Sequence, residues 1–314
     1  MAGLAAAAAA FGLASAAYQA AGEARDRRKT TPPGRLVDVG GYRLHIMAVG
    51  QGTPAVVVIT ALGSPGSEWL GAQRAIAQKT EVCLYDRAGL GWSDSPPRRR
   101  SAVAMAGELH ALLHGAGTMP PYVLVGHSMG GLVARVFIQL YPDEVAGLAL
   151  IDSSHPGQKS RLPKLEMRNY RGGKLLEAAL AWTRPLGLRR LARDLGLRES
   201  ASVGWSRHRR AGYGELLAFD AICRDVAGGF GDLRLAVVTS SELDPNQPAG
   251  SRAQRDRSRF YPPWAALQDE LATLSTNSTH LVSKHAGHHV HRDDPELVTR
   301  VIVDLVTQAR PTAR

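Results

Sequence analysis

The stretch Gly126-His-Ser-Met-Gly130 stands between two apolar segments of different periodicity. Before it, Tyr122–Val125 is a short run rich in β-branched residues, which is typical of a buried strand. After it, Leu132–Tyr141 carries apolar residues at helical spacing. Gly-x-Ser-x-Gly between a strand and a helix is typical of a sharp turn that exposes the serine, because glycine lets the two elements approach closely. The stretch therefore predicts a strand, a turn and a helix, with Ser128 as a candidate nucleophile.

Strand-like and helix-like segments alternate on both sides of this unit. Two alternating segments joined by Gly40-Gly41 predict a hairpin at 35–49. The other predicted strands are at 55–61, 81–86, 145–152, 233–240 and 279–284, and the predicted helices are near 69–78, 102–114, 264–274 and 295–309. Such alternation favours the α/β class, with a mostly parallel sheet and helices on both faces.

The alternation stops at about residue 154 and resumes at about 233. The interval has a helical, polar pattern interrupted by Gly-Gly and proline breaks, and we interpret it as a lid inserted over the sheet. The predicted organisation is an Ala-rich segment with a basic flank at 1–29, core at 30–153, a helical lid at 154–232 and core at 233–314.

The chain of 314 residues carries a formal net charge of +10. A nucleic-acid partner is not expected, since no basic surface with interleaved aromatics and no recognition-helix motif is evident. The two cysteines, Cys83 and Cys223, provide neither a disulfide framework nor metal-ligand spacing. Composition leaves the oligomeric state open.

Residues 3–22 are nearly free of charge and are long enough to span a bilayer as a helix. Basic residues at 25–29 follow them, which would place the remainder of the chain on the cytoplasmic side. We interpret the segment as a membrane anchor, and an Ala-rich surface helix is the alternative.

A serine hydroxyl becomes a strong nucleophile only when a base takes its proton and an acid orients that base. Carboxylates and histidines follow the predicted strands after Ser128, at 242–244 and 285–291. With these segments the chain resembles the alpha/beta-hydrolase superfamily, in its lidded serine esterase and lipase-like branch, over about residues 35–309. The motifs that carry the resemblance are Tyr85–Asp94, Gly126–Gly130, Leu148–Asp152, Glu242–Pro245 and Gly287-His288 ahead of Asp294-Pro295-Glu296.

The resemblance implies roles for particular residues. His288 matches the catalytic histidine and Asp244 matches the catalytic acid, while Asp152 and Glu242 remain alternatives for the acid. The backbone N–H groups of Leu62 and Met129 match the oxyanion donors.

Thr60-Ala61 stands where the family usually has a His-Gly pair, so the sequence before Leu62 departs from the family pattern at the oxyanion loop. His127, inside the turn, is expected to shape the wall of the site rather than to act as the base.

The function implied is hydrolysis of a carboxylic ester, or an amide, through an acyl-enzyme intermediate without a cofactor. The four histidines 285, 288, 289 and 291 match no metalloenzyme spacing, so no metal is expected. The alternatives are a binding module with a hydrolase fold but no turnover, and a membrane-tethered interaction protein. Dehalogenase and epoxide hydrolase chemistry is disfavoured, because those relatives have aspartate where Ser128 stands.

Overall fold

Eight strands form one mixed sheet in the computed structural model, which describes residues 2–29, 32–97, 99–163, 195, 206–242, 248 and 250–310. The strands are β1 (Arg35–Asp38), β2 (Arg43–Val49), β3 (Ala55–Ile59), β4 (Val82–Asp86), β5 (Tyr122–His127), β6 (Val145–Ile151), β7 (Arg234–Thr239) and β8 (Ser278–Val282). Their order across the sheet is β1-β2-β4-β3-β5-β6-β7-β8. The first two strands pair antiparallel with each other, and β2 pairs antiparallel with β4, whereas every other pair is parallel.

The described helices lie before, between and after these strands. They are α1 (Ala2–Lys29), α2 (Leu70–Ile76), α3 (Ala102–Ala116), α4 (Met129–Leu140), α5 (Gln158–Arg161), α6 (Ser206–Arg224), α7 (Arg252–Ala272), α8 (Val290–Asp293) and α9 (Pro295–Ala309). Short 3-10 helices at Gly66–Trp69 and Pro142–Glu144 precede α2 and β6.

Alternate residues of the central strands divide the core into two halves, one on each face of the sheet. Val57 and Leu124 belong to the half that packs against α3 and α4, whereas Val56 and Val123 belong to the half that packs against α2 and α9. Every residue of β3, β4 and β5 is buried, which accounts for their continuous apolar runs. The predicted class, a mostly parallel sheet with helices on both faces, is confirmed.

Of the predicted lid at 154–232, the structure describes residues 154–163, 195 and 206–232. The helices α5 and α6 belong to this interval, and α6 packs against α3 and α4. Residues 164–194 and 196–205 lie outside the description, so the predicted domain boundaries stay predictions.

Helix α7 begins twelve residues before the predicted start at Trp264, since it spans Arg252–Ala272. The side chain of Ser251 caps it by accepting a hydrogen bond from the N–H of Gln254 at 3.1 Å. Pro262 and Pro263 lie inside the helix, where each removes one hydrogen bond of the ladder. The packing of Trp264 and of Leu267 in a small apolar cluster offsets that loss, and local sequence rules cannot foresee it.

The N-terminal segment forms helix α1, in which the described side chains of Phe11 and Leu13 are 64% and 74% exposed. Among the described residues, no helix is both long and apolar enough to cross a bilayer. The membrane anchor predicted for residues 3–22 is therefore unsupported, because alanine contributes little apolar surface per residue.

We expect removal of residues 1–29 to leave kcat/KM for a soluble ester almost unchanged, because the sheet begins only at Arg35. Steady-state hydrolysis by the full and trimmed chains, at matched concentration, is the measurement. Loss of activity on trimming would mean that α1 packs on the catalytic core.

Candidate active site

Ser128 occupies the turn between β5 and α4 in a backbone conformation that side chains rarely adopt, with φ 54° and ψ −123°. The turn requires glycine at two positions. A Cβ on Gly130 would lie 2.0 Å from the carbonyl oxygen of Ile59, and a Cβ on Gly126 would lie 2.5 Å from Cα of Gly131, so any larger residue would clash with the backbone. The N–H of Ser128 donates to the carbonyl of Ile151 at 3.2 Å, which ties the turn to the end of β6. Strain held in this way is typical of a functional residue.

His288 and Asp152 form the hydrogen bond that a general base of this kind requires. Nδ1 of His288 lies 2.6 Å from Oδ2 of Asp152. The carboxylate is almost completely buried, whereas the imidazole is 41% exposed. Because Asp152 holds the hydrogen on Nδ1, Nε2 of the ring is left to accept a proton.

Asp152 directly follows β6 and accepts two further hydrogen bonds at Oδ1. The donors are the N–H of Ser240 at 3.0 Å and the indole Nε1 of Trp264 at 2.8 Å. Burial by itself would raise the pKa of Asp152, but the hydrogen bonds from His288, Ser240 and Trp264 outweigh it and lower the pKa. The carboxylate is therefore ionised at neutral pH.

The structure pairs His288 with Asp152, which the sequence left as an alternative to Asp244 for the acid. Asp244 lies outside the described residues, and the nitrogen of His288 that it was expected to orient is bonded to Asp152. Glu242, the other alternative, is exposed. Asp152, the remaining alternative, is the carboxylate that the structure brings to His288.

The predicted oxyanion donors lie on two different elements. Met129 is the first residue of α4, and Leu62 follows β3 in the loop 60–65. Among the described residues, neither backbone N–H is bonded to an acceptor, which leaves both groups available to an oxygen of a ligand. The amino terminus of α4 adds its partial positive charge at the same place.

A buried ion pair holds the loop that carries Leu62. Arg87 donates to the carbonyl of Thr60 and to the carbonyl of Ala61, each at 2.7 Å. The same guanidinium pairs with Glu215 of α6 through two hydrogen bonds, of 2.7 and 3.0 Å. Glu215 also accepts from the N–H of Gly63 at 2.8 Å. The loop is therefore clamped on both sides of Leu62 by residues far apart in sequence.

His127 supports the loop that carries His288. Its Nε2 lies 2.9 Å from the carbonyl oxygen of His288. Burial, assisted by the neighbouring His288 and His291, lowers the pKa of His127 well below its ordinary value. The ring is therefore neutral and structural, and it is fully buried rather than part of the cavity lining.

One cavity of about 350 Å³ joins these groups to a mostly apolar lining. Ser128, Asp152 and His288 line it, together with Leu62 and Met129. The remaining lining residues come from α5, α6 and α7 and the segments beside them: Ser154, Gln158, Leu162, Leu216, Phe219, Asp256, Arg257, Phe260 and Trp264. A space of this size suits a small ligand with an apolar portion.

Of the large apolar residues in the predicted lid, Leu216 and Phe219 lie in the cavity wall, whereas Leu217 is 68% exposed. Leu175, Leu176, Trp182, Leu186, Leu188 and Trp205 lie outside the described residues. Sequence reasoning did not identify Trp264, Arg87 or Glu215 as site residues. The tyrosine-aspartate-arginine motif at 85–87 was visible, but nothing in the sequence pairs it with Glu215.

Known proteins share the fold of this chain. A family model described as alpha/beta hydrolase fold matches residues 54–196, and the sheet order and the serine turn of this chain agree with that fold. A thermophilic esterase from Thermogutta terrifontis superposes with a TM-score of 0.59 at 21% identity, covering 88% of this chain and 99% of the esterase.

Curated relatives match over shorter segments. A probable transporter, efuK, of Hormonema carpetanum is 33% identical over 136 residues, which is 41% of this chain and 20% of the relative. A putative carbamate hydrolase, RutD, of Cronobacter turicensis is 38% identical over 104 residues, which is 32% of this chain and 38% of the relative. The chain thus spans less than half the length of these relatives.

Proposed function

We propose that this chain is a serine hydrolase that cleaves carboxylic esters through an acyl-enzyme intermediate. The observation that carries the proposal is a shared cavity: Ser128, held at positive φ after β5, and the hydrogen-bonded pair His288 and Asp152 line the same space. An activated serine, a base and an orienting acid are the groups that acyl transfer needs.

In the proposed reaction, Oγ of Ser128 attacks the ester carbonyl carbon and its proton passes to Nε2 of His288. The N–H groups of Leu62 and Met129 bind the oxyanion of the tetrahedral intermediate. Collapse of the intermediate breaks the bond to the alcohol oxygen, which leaves with the proton from Nε2. Water then attacks the acyl-enzyme, again losing a proton to His288, and the acid departs as Ser128 regains its proton.

Esters are favoured over amides, since an alcohol leaves more readily than an amine and the cavity wall is mainly apolar. The esterase and the putative carbamate hydrolase among the relatives fit acyl chemistry of this kind. The alternative, a hydrolase fold that binds a ligand without turnover, would share the cavity but would not need the strained serine.

A fluorophosphonate probe, followed by mass spectrometry of the intact protein, tests the nucleophile. We expect one adduct per chain, and we expect none in Ser128→Ala. Ser153→Ala, which removes a neighbouring buried hydroxyl, is the matched control and should be labelled like the wild type. Labelling that persists in Ser128→Ala would falsify the assignment, and no labelling of any variant would favour the binding module.

The half-buried Leu216 in the cavity wall should limit the length of the acyl chain. We expect Leu216→Trp to lower kcat/KM for a long-chain p-nitrophenyl ester at least tenfold while changing acetate hydrolysis little, because the larger ring fills space that the chain would occupy. Leu217→Trp is the matched control, since Leu217 is the exposed neighbour on α6. An unchanged chain-length profile in Leu216→Trp would place the acyl group elsewhere.

A further inference from the structure

A group of side chains near the amino ends of β5 and β6 combines two histidines and a carboxylate. His110 and His114 lie four residues apart on α3, so both project from one face of that helix. Glu144 ends the 3-10 helix Pro142–Glu144, directly before β6. From these residues we propose a Zn²⁺ site, with Nε2 of both histidines and Glu144 as ligands and water completing the coordination.

The distances are close to those that a tetrahedral zinc ion needs. One oxygen of Glu144 lies 2.9 Å from Nε2 of His110 and 3.7 Å from Nε2 of His114. Ligands held about 2.0–2.2 Å from a zinc ion at tetrahedral angles are separated by about 3.3–3.5 Å. The observed separations lie on either side of that value, and the potential ligand atoms of all three residues fall within 4.8 Å of one another.

The surroundings favour a metal ion over a simple ion pair. The ring of His110 stacks on Tyr141 with centroids 3.8 Å apart, which fixes its orientation. The second oxygen of Glu144 is buried, and within the described part of the chain it has no hydrogen-bond partner. The ring of His114 is 47% exposed, so solvent can deliver the ion and supply the remaining ligand. One carboxylate also offsets part of the charge of the ion.

The proposed ion would brace the scaffold and take no part in the chemistry. The end of α3 leads into the start of β5, and Glu144 leads into the start of β6, so the group lies at the amino ends of these strands. Ser128 and Asp152 follow the carboxyl ends of the same two strands. The expectation that no metal is bound rested on the histidines at 285–291, which are a different group.

The test uses the full chain without a histidine tag, freed of metal by a chelator and titrated with Zn²⁺ against a chromophoric competitor. We expect one ion per chain and a rise in Tm of several degrees at saturating Zn²⁺, because the ion binds only the folded state. His114→Ala and Glu144→Gln should each weaken binding by more than about tenfold, since loss of even an outer-shell partner costs 10–100-fold. Both positions are partly exposed, so these variants should fold.

Two variants serve as controls. His285→Ala removes an exposed histidine elsewhere and should bind Zn²⁺ like the wild type. His289→Ala tests the other close group of histidines, His127, His289 and His291, and should also bind normally. Binding that survives His114→Ala, or that is lost in His289→Ala, would overturn the proposal. Ester hydrolysis by His114→Ala should match the wild type, so the zinc site and the hydrolase proposal can fail separately.

Discussion

Asp152→Asn is expected to lower kcat for ester hydrolysis by about 10⁴-fold, the cost of presenting the wrong histidine tautomer in a triad of this kind. An asparagine amide placed against Nδ1 of His288 would donate a hydrogen bond instead of accepting one. The ring would then carry its hydrogen on Nε2 and could not take the proton of Ser128. Steady-state hydrolysis of a p-nitrophenyl ester measures the effect.

The fold should survive this change. Oδ1 of Asp152, which accepts from Ser240 and Trp264, can be retained as the amide oxygen of asparagine. Circular dichroism and Tm of the variant check this point. Asp244→Asn is the matched control and should change kcat little, because Nδ1 of His288 bonds to Asp152. The opposite ranking in folded variants would return the role of acid to Asp244.

The sheet could be predicted from the sequence because its central strands are buried on both faces. A strand such as β3, in which every residue is buried, leaves a short, continuous apolar run that can be recognised in the sequence. Ser128 and His288 could be proposed from the sequence for a related reason, since each lies in a short glycine-bearing motif that follows a strand. The local sequence pattern was sufficient to predict the central strands and to propose these two residues.

The carboxylate that bonds to His288 could not be predicted in this way. Asp152 follows β6 and Asp244 follows β7, and parallel neighbours bring their carboxyl ends to the same edge of the sheet. The distinction depends on donors from elsewhere, the N–H of Ser240 and the indole of Trp264. Trp264 reaches Asp152 from a helix that continues through two prolines, a feature that sequence rules treat as a break.

The ion pair between Arg87 and Glu215 could not be predicted from the sequence either. The two residues are 128 positions apart, and Glu215 lies in a basic, polar interval that suggests solvated surface. In the structure both side chains are 1% exposed. Burial alone would lower the pKa of Arg87, but Glu215 outweighs it and raises the pKa, so the guanidinium stays charged.

Breaking this pair by a single substitution should destabilise the protein strongly. We expect Glu215→Leu to reduce the free energy of unfolding by about 3–5 kcal/mol, because it leaves Arg87 charged, buried and unpaired. Catalysis would fall as well, but partial unfolding could explain that loss. A single variant therefore cannot separate stability from positioning of the loop.

The double variant Arg87→Met/Glu215→Leu separates the effect on stability from the effect on the position of the loop. Replacing a buried ion pair by apolar side chains of similar volume is often neutral for stability, so we expect Tm to recover most of the loss. The carbonyls of Thr60 and Ala61 and the N–H of Gly63 would still lack their partners, and the N–H of Leu62 would lose its fixed direction. We expect kcat to stay about 10²–10³-fold below the wild type, the cost of one oxyanion donor, with little change in KM.

A second buried ion pair supplies the matched control. Arg100 and Glu108 are 5% and 11% exposed and lie 2.5 Å apart, and neither bonds to the loop 60–65 within the described residues. Arg100→Met/Glu108→Leu should therefore leave kcat near the wild-type value. If Arg87→Met/Glu215→Leu also turned over ester at the wild-type rate, the hydrogen bond from the hydroxyl of Thr60 to the carbonyl of Ser64 would be enough to hold the loop, and the pair would serve stability alone.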